Sequence, residues 1–95
     1  MKEYIYRTQK RQDGTHIEEF RTALEQMMSE GASEIVLDMQ ETVHLSSASL
    51  RLILKVQKAL AAKGGKLILR NVSESIMDVF DLVGFTGLLY FEDND

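Results

Sequence analysis

Short apolar runs alternate along this chain with segments of helical periodicity, and that alternation restricts the fold more than any other feature. Ile17, Phe20, Leu24, Met27 and Met28 fall at i, i+3, i+7, i+10 and i+11, one face of an amphipathic helix. Thr15 and Glu18 stand before and within its first turn at the spacing of a capping box, and Gly31 follows as a helix-ending glycine. Glu34-Ile35-Val36-Leu37-Asp38-Met39 is a continuous apolar run, which predicts a strand covered on both faces. A second helix is expected to open near Ser46–Ser49, with Leu50, Ile53, Leu54, Leu60 and Ala61 inward and Arg51, Lys55 and Lys58 outward. It ends at Lys63-Gly64-Gly65. Lys66 to Arg70 is another buried strand. Ser73 can cap a third helix whose face is Ile76, Val79, Phe80 and Val83, stopped by Gly84. Tyr4 to Thr8 reads as an edge strand, Lys10 to Gly14 as a turn, Gln40 to Leu45 as a loop, and Leu88 to Phe91 as a last short strand or turn. Glu92 to Asp95 is an acidic tail, expected to fray.

The resulting order, β-α-β-α-β-α-β, predicts an α/β fold. A mixed, mostly parallel sheet of about four strands carries three helices joined by right-handed crossovers. Ninety-five residues leave room for one domain and no separate catalytic lobe. Ligands of such sheets gather at loops beyond the strand carboxyl ends, which directs attention to Gln40–Leu50.

Composition narrows the functional classes. Eleven basic against fifteen acidic residues give a net charge of −4, which argues against a binder of nucleic-acid backbones. No cysteine is present, so disulfides, thiolate zinc sites and thiol catalysis are excluded. Met1-Lys2-Glu3-Tyr4 leads into no apolar stretch, so no signal peptide and no membrane insertion are expected, and the cytoplasm is the expected compartment.

The loop and the second helix resemble the STAS domain family, whose best-known members are bacterial anti-sigma factor antagonists. The residues that carry the resemblance are Leu45-Ser46-Ser47-Ala48-Ser49-Leu50-Arg51, then Ala59–Asn71 (ALAAKGGKLILRN) and Asp78–Phe85 (DVFDLVGF). It is strongest over residues 31–91 of a single STAS-like domain spanning 1–95. Aligned on Leu50, the family's phosphorylated serine falls on Ser47, its preceding aspartate on Ser46 and its glycine on Ser49. The loss of glycine narrows the backbone conformations open to Ser49. Family members have two strands before the first helix. One is clear here, which leaves an edge open for self-pairing into a homodimer.

The resemblance implies partner switching. The unmodified chain would bind an anti-sigma factor with serine kinase activity. That partner would phosphorylate Ser47 with ATP and magnesium, and a metal-dependent serine phosphatase would reverse it. Ser46, Ser47, Ser49, Arg51 and His44 are the expected partner-binding residues. The chain itself would be no enzyme and would need no cofactor or metal. The alternative is a constitutive, unphosphorylated STAS-type assembly subunit, for example of a membrane transporter complex.

Blander readings of the same residues are available. Ser47 or Ser46 can simply be the helix N-cap. His44 and Ser47 are three apart, but a nucleophilic serine needs a base and an orienting third group, and the Gly-x-Ser-x-Gly elbow is missing. His16 reads as a solvated first-turn residue. Asp38 and Glu41 form a solvated rim, Met27, Met28 and Met77 are core or near-core, and Arg51, Lys55 and Lys58 are a solvated helix face.

Overall fold

The computed structural model describes residues 3–92. The elements are β1 (Ile5–Arg7), β2 (Arg11–Gln12), α1 (Ile17–Ser29), β3 (Glu34–Asp38), β4 (His44–Leu45), α2 (Ser47–Ala61), β5 (Lys66–Arg70), α3 (Glu74–Leu82) and β6 (Tyr90–Phe91). Four of the strands form one sheet in the order β1-β3-β5-β6, and every pairing is parallel. This is the α/β architecture that the alternating pattern predicts. Of the tail expected to fray, Asp93 to Asp95 lie outside the described residues, as do Met1 and Lys2.

Strand order follows chain order, so the chain winds across the sheet in one direction. Right-handed crossovers wound one way place every helix on the same face. Accordingly, Phe20 and Leu24 of α1, Ile53 and Leu60 of α2, and Ile76 and Phe80 of α3 share one core with Ile35, Leu37, Leu67 and Leu69. These four strand residues alternate with Val36, Asp38, Ile68 and Arg70, which point the other way. The expectation that β3 is covered on both faces is therefore corrected. Its central Ile35-Val36-Leu37 run is apolar without a break because Val36, only 7% exposed, is shielded by neighbouring side chains.

Other local expectations change for identifiable reasons. Two strands precede α1, not one. β2, expected as a turn, pairs in parallel with β4, expected as a loop, and together they make a separate two-stranded ribbon. The capping box does not form, because the helix starts one residue too late for it, and the Thr15 amide and hydroxyl donate instead to Asp13 Oδ1, at 3.1 and 2.6 Å. His16 occupies the cap of α1 without a side-chain bond. Helix α2 ends at Ala61, which is exposed, and it buries Leu52, Val56 and Gln57 as well. In α3, Ser73 caps as expected, accepting from the Ile76 amide at 3.2 Å, but Val83 is exposed.

The turn from α2 into β5 shows why two glycines stand there. Gly64 adopts φ +80°, and the Gly65 amide reaches back to Leu60 O at 2.9 Å. A Cβ on Gly65 would lie 1.7 Å from the main-chain oxygen of Ser33, inside any allowed contact. Gly65→Ala is therefore expected to destabilise the chain by about 1–3 kcal/mol, the usual cost of forced overpacking. Thermal unfolding followed by circular dichroism should show the melting temperature falling by roughly 4–8 °C per kcal/mol. An unchanged melting temperature would contradict this packing.

Candidate functional site

The connection from β3 to α2 lies beyond the carboxyl ends of the strands, and segment 8–12 fixes its shape. Thr42 donates its hydroxyl to Gln9 O at 2.8 Å and is bonded in turn by the Thr8 hydroxyl. The Val43 amide donates to Lys10 O at 2.8 Å. Gln12 is fully buried, and its side chain closes its own turn, with Oε1 accepting from the Gln9 amide at 2.9 Å. The main-chain oxygen of Gln12 accepts twice from the serine cluster, from the Ser46 amide at 3.0 Å and from Ser49 Oγ at 2.7 Å.

This arrangement determines which serine caps α2. Ser46 sits in extended conformation (φ −81°, ψ 164°), and its Oγ accepts from the Ser49 amide at 3.1 Å. The same hydroxyl donates to Ser49 Oγ at 3.2 Å. Ser49 is buried within the first turn of α2, in ordinary right-handed conformation, so this position has no need of glycine. Its expected place at the partner surface is corrected, because its hydroxyl is committed to Gln12. Ser46 and Ser49 thus form a mutually bonded pair where the family pattern has aspartate and glycine. Ser47 is left as the first helical residue. Its side chain is exposed and, among the described residues, makes no hydrogen bond.

Arg51 is exposed one turn along α2 from Ser47, at a shallow hollow of about 170 Å³ shared with Arg21, Ala48, Leu52 and Lys55. His44 is exposed on β4, and no hydrogen bond joins it to Ser47 among the described residues. Among the described residues, no base is hydrogen-bonded to Ser47, as activation of a serine nucleophile would require.

Asp38 stands at the end of β3, where the loop begins. Its Oδ1 accepts from the Gln40 amide and from Asn71 Nδ2, both at 3.1 Å. Arg7 bridges Asp38 and Glu41, with nitrogen–oxygen distances of 3.7 Å to each. Burial alone would raise the Asp38 carboxyl. The bonds from Asn71 and Gln40 outweigh it and, with Arg7 and Arg70 nearby, hold the group below the usual carboxylate range. Asn71 reaches Asp38 from a left-handed backbone conformation, φ 58°, which asparagine tolerates better than most residues. Asp38 is thus a structural brace between β3 and β5.

The signal that sequence reasoning missed is Gln12. A two-residue ladder leaves no periodicity to read, and a glutamine among charged residues looks solvated.

These contacts have measurable consequences. Ser46→Ala should cost about 1 kcal/mol of stability by removing the cap, whereas Ser47→Ala should stay within about 0.5 kcal/mol. Urea unfolding of both variants checks this, and equal losses would contradict the assignment of the cap. The lowered Asp38 carboxyl contributes stability that is present above the unfolded value of 3.8 and is lost as pH falls below it towards the folded value. Asp38→Asn should therefore flatten the dependence of unfolding free energy on pH below about 4. A slope equal to that of the wild type would exclude this role.

Comparison with known proteins bears on the fold and the family. Over 76 residues the chain is 29% identical to BtrV of Bordetella bronchiseptica, a candidate anti-sigma factor antagonist. The match covers 80% of this chain and 66% of BtrV, just under two thirds of that protein. A candidate anti-sigma factor antagonist from Thermotoga maritima superposes with a TM-score of 0.84 at 18% identity, covering 95% of this chain and 80% of that one. The anti-sigma factor antagonist SpoIIAA in its unphosphorylated form superposes with a TM-score of 0.75 at 22% identity, covering 96% and 79%. These superpositions establish a shared fold. The family model described as the STAS domain matches residues 2–94, nearly the whole chain, and the chain belongs to the STAS domain family.

Proposed function

We propose that this chain is an anti-sigma factor antagonist controlled by phosphorylation of Ser47. The observation that carries the proposal is the division of labour in the serine cluster. Ser46 caps α2 and Ser49 anchors it, so the Ser47 hydroxyl is exposed and unengaged at the helix start. The kinship with proteins named as anti-sigma factor antagonists supports the same reading, and SpoIIAA is described in both a phosphorylated and an unphosphorylated form.

The fold would accept a phosphate at this position. A helix N-terminus presents unpaired amides and a partial positive charge, and Arg51 lies one turn away. A docked partner would not accept it. Phosphorylation adds a charge of about −1.5 to −2, and desolvating an unpaired ion costs several kcal/mol. At about 1.4 kcal/mol per factor of ten, affinity falls by roughly two orders of magnitude or more.

In this reading the partner is an anti-sigma factor with serine kinase activity that contacts Ser46, Ser47, Arg51 and His44. It transfers the γ-phosphoryl group of ATP to Ser47 Oγ, and a metal-dependent serine phosphatase removes it. The chain supplies the acceptor hydroxyl and the docking surface, not the catalyst. Cytoplasmic action is part of the proposal. Among the described residues, no helix is long and apolar enough to cross a membrane.

The test compares wild type, Ser47→Ala and Ser47→Asp by intact mass from the native cell and by capture of partners. The expected result is a phosphate-sized mass increase that is absent in Ser47→Ala, and a kinase partner captured by wild type and Ser47→Ala but not by Ser47→Asp. Unmodified protein, with the same partners captured by all three forms, would favour the constitutive assembly subunit instead.

A further inference from the structure

Among the described residues, one-way winding leaves the second face of the sheet without a helical layer, and the residues on that face form an ordered pattern. Strand register aligns Ile5 with Val36, Val36 with Ile68, and Ile68 with Tyr90, giving one apolar row across all four strands. Ile5 is 42% and Tyr90 50% exposed, large values for apolar side chains of a sheet. Two residues further along the strands lies a charged row, in which Arg7 aligns with Asp38 and Asp38 with Arg70. Glu92 extends this row through its 3.0 Å ion pair with Arg70. Two residues back, Glu34 aligns with Lys66. A hollow of about 750 Å³ opens over the face, with Val36 and Ile68 at its floor and Glu34, Arg70 and Glu92 among its lining.

We propose that this open face binds a second copy of the chain, face to face, about a twofold axis parallel to the strands and midway between β3 and β5. Such an axis keeps height along the strands and reverses their order, so β3 lies over β5 of the second copy and β1 over β6. Val36 then meets Ile68 and Ile5 meets Tyr90. Glu34 meets Lys66, Asp38 meets Arg70, and Arg7 meets Glu92. Each of these charged residues meets an opposite charge, while Glu3, at the rim of the hollow, keeps its ion pair with Arg70 of its own copy. A twofold axis at right angles to the strands does the opposite, bringing Glu34 to Asp38 and Lys66 to Arg70 as like charges. The charge pattern therefore selects one geometry, in which aligned sheets pack about 10 Å apart with a twist of roughly 30°.

The size of the face sets the strength. Strands of three, five, five and two residues, about 4.8 Å apart, give on the order of 240 Å² per copy. A standard stable interface buries about 800 Å² per partner. The association is thus weak and reversible, in the micromolar to millimolar range. It differs from pairing through the edge of β1, which offers only three residues. It is also independent of the proposed switch, because Ser47 belongs to the helical layer on the other side.

Sedimentation equilibrium up to about millimolar concentration tests the proposal. The weight-average mass of the wild type is expected to rise from 10.8 kDa towards that of a dimer. Lys66→Glu sets a second carboxylate against Glu34 twice per dimer and should weaken association at least about tenfold. Glu34→Lys combined with Lys66→Glu should restore it, since the pair is exchanged and not lost. Ile5→Lys, at an exposed edge position, breaks the apolar row with little risk to the fold and should also give monomer. A wild type that stays monomeric, a Lys66→Glu variant that associates unchanged, a double variant that remains monomeric, or assembly beyond the dimer would each overturn the proposal.

Discussion

Each crossover in this chain returns to the next strand from the same side, and the rest of the structure depends on that constraint. A parallel strand cannot be reached by a tight turn, so a helix must carry the chain back. Right-handed crossovers repeated in one direction stack α1, α2 and α3 on one face. The result is a two-layer domain with a single core, in which Phe20, Leu24, Ile53, Leu60, Ile76 and Phe80 meet Ile35, Leu37, Leu67 and Leu69. A short chain gains from this economy, since a second helical layer would need many more residues to cover the opposite face. The cost of the arrangement is a sheet face that must be tolerable to water. Arg7, Asp38 and Arg70 meet that need at one end, and the apolar row beside them does not.

The same winding places the start of α2 at the rim of the sheet, where segment 8–12 can reach it. The oxygen of Gln12 holds both the Ser46 amide and the Ser49 hydroxyl, so the first turn of α2 is fastened from outside the helix. A buried carbonyl with two donors resists displacement, because opening it exposes unpaired polar groups to an apolar surround. This explains how three neighbouring serines acquire three different environments. Ser46 is half-buried as the cap, Ser49 is buried as the anchor, and Ser47 is exposed. It also explains why the fold tolerates serine where the family pattern has glycine, since the helix begins before that position and asks nothing unusual of its backbone.

The long elements were legible in the sequence because their periodicity is repeated. Five apolar positions define α1, and continuous runs define β3 and β5. Short elements were not legible. β2 and β4 have two residues each, and neither forms without the other, so their signal exists only in three dimensions. The cap of α1 misled because Thr15 turns back onto the Asp13 carboxylate and His16, one residue later, takes the cap position. The polarity of β3 misled for a different reason. An apolar residue can be shielded by its neighbours on a pleated surface, so a continuous run does not require a second layer. At the candidate site, the motif located the serines but not their roles. Those are set by Gln12, more than thirty residues away in the chain.

The two surfaces of this domain are separated by its core. The serine cluster opens a helix on one layer, and the apolar row lies on the outer side of the other. Both surfaces face solvent on opposite sides of the core, and salt screens exposed charges beyond about 8 Å at physiological ionic strength. A phosphate at Ser47 would therefore act strongly on whatever touches the start of α2 and weakly on the open sheet. It would meet the partial charge of the helix end and the Arg51 guanidinium before its field reached the far face. No rearrangement of the core is required for such a modification to be read, because the reader would be the partner at the rim. A domain with one rigid core and two unlike faces can thus carry a charge-sensitive contact and a self-complementary one, each governed by the residues that it alone presents.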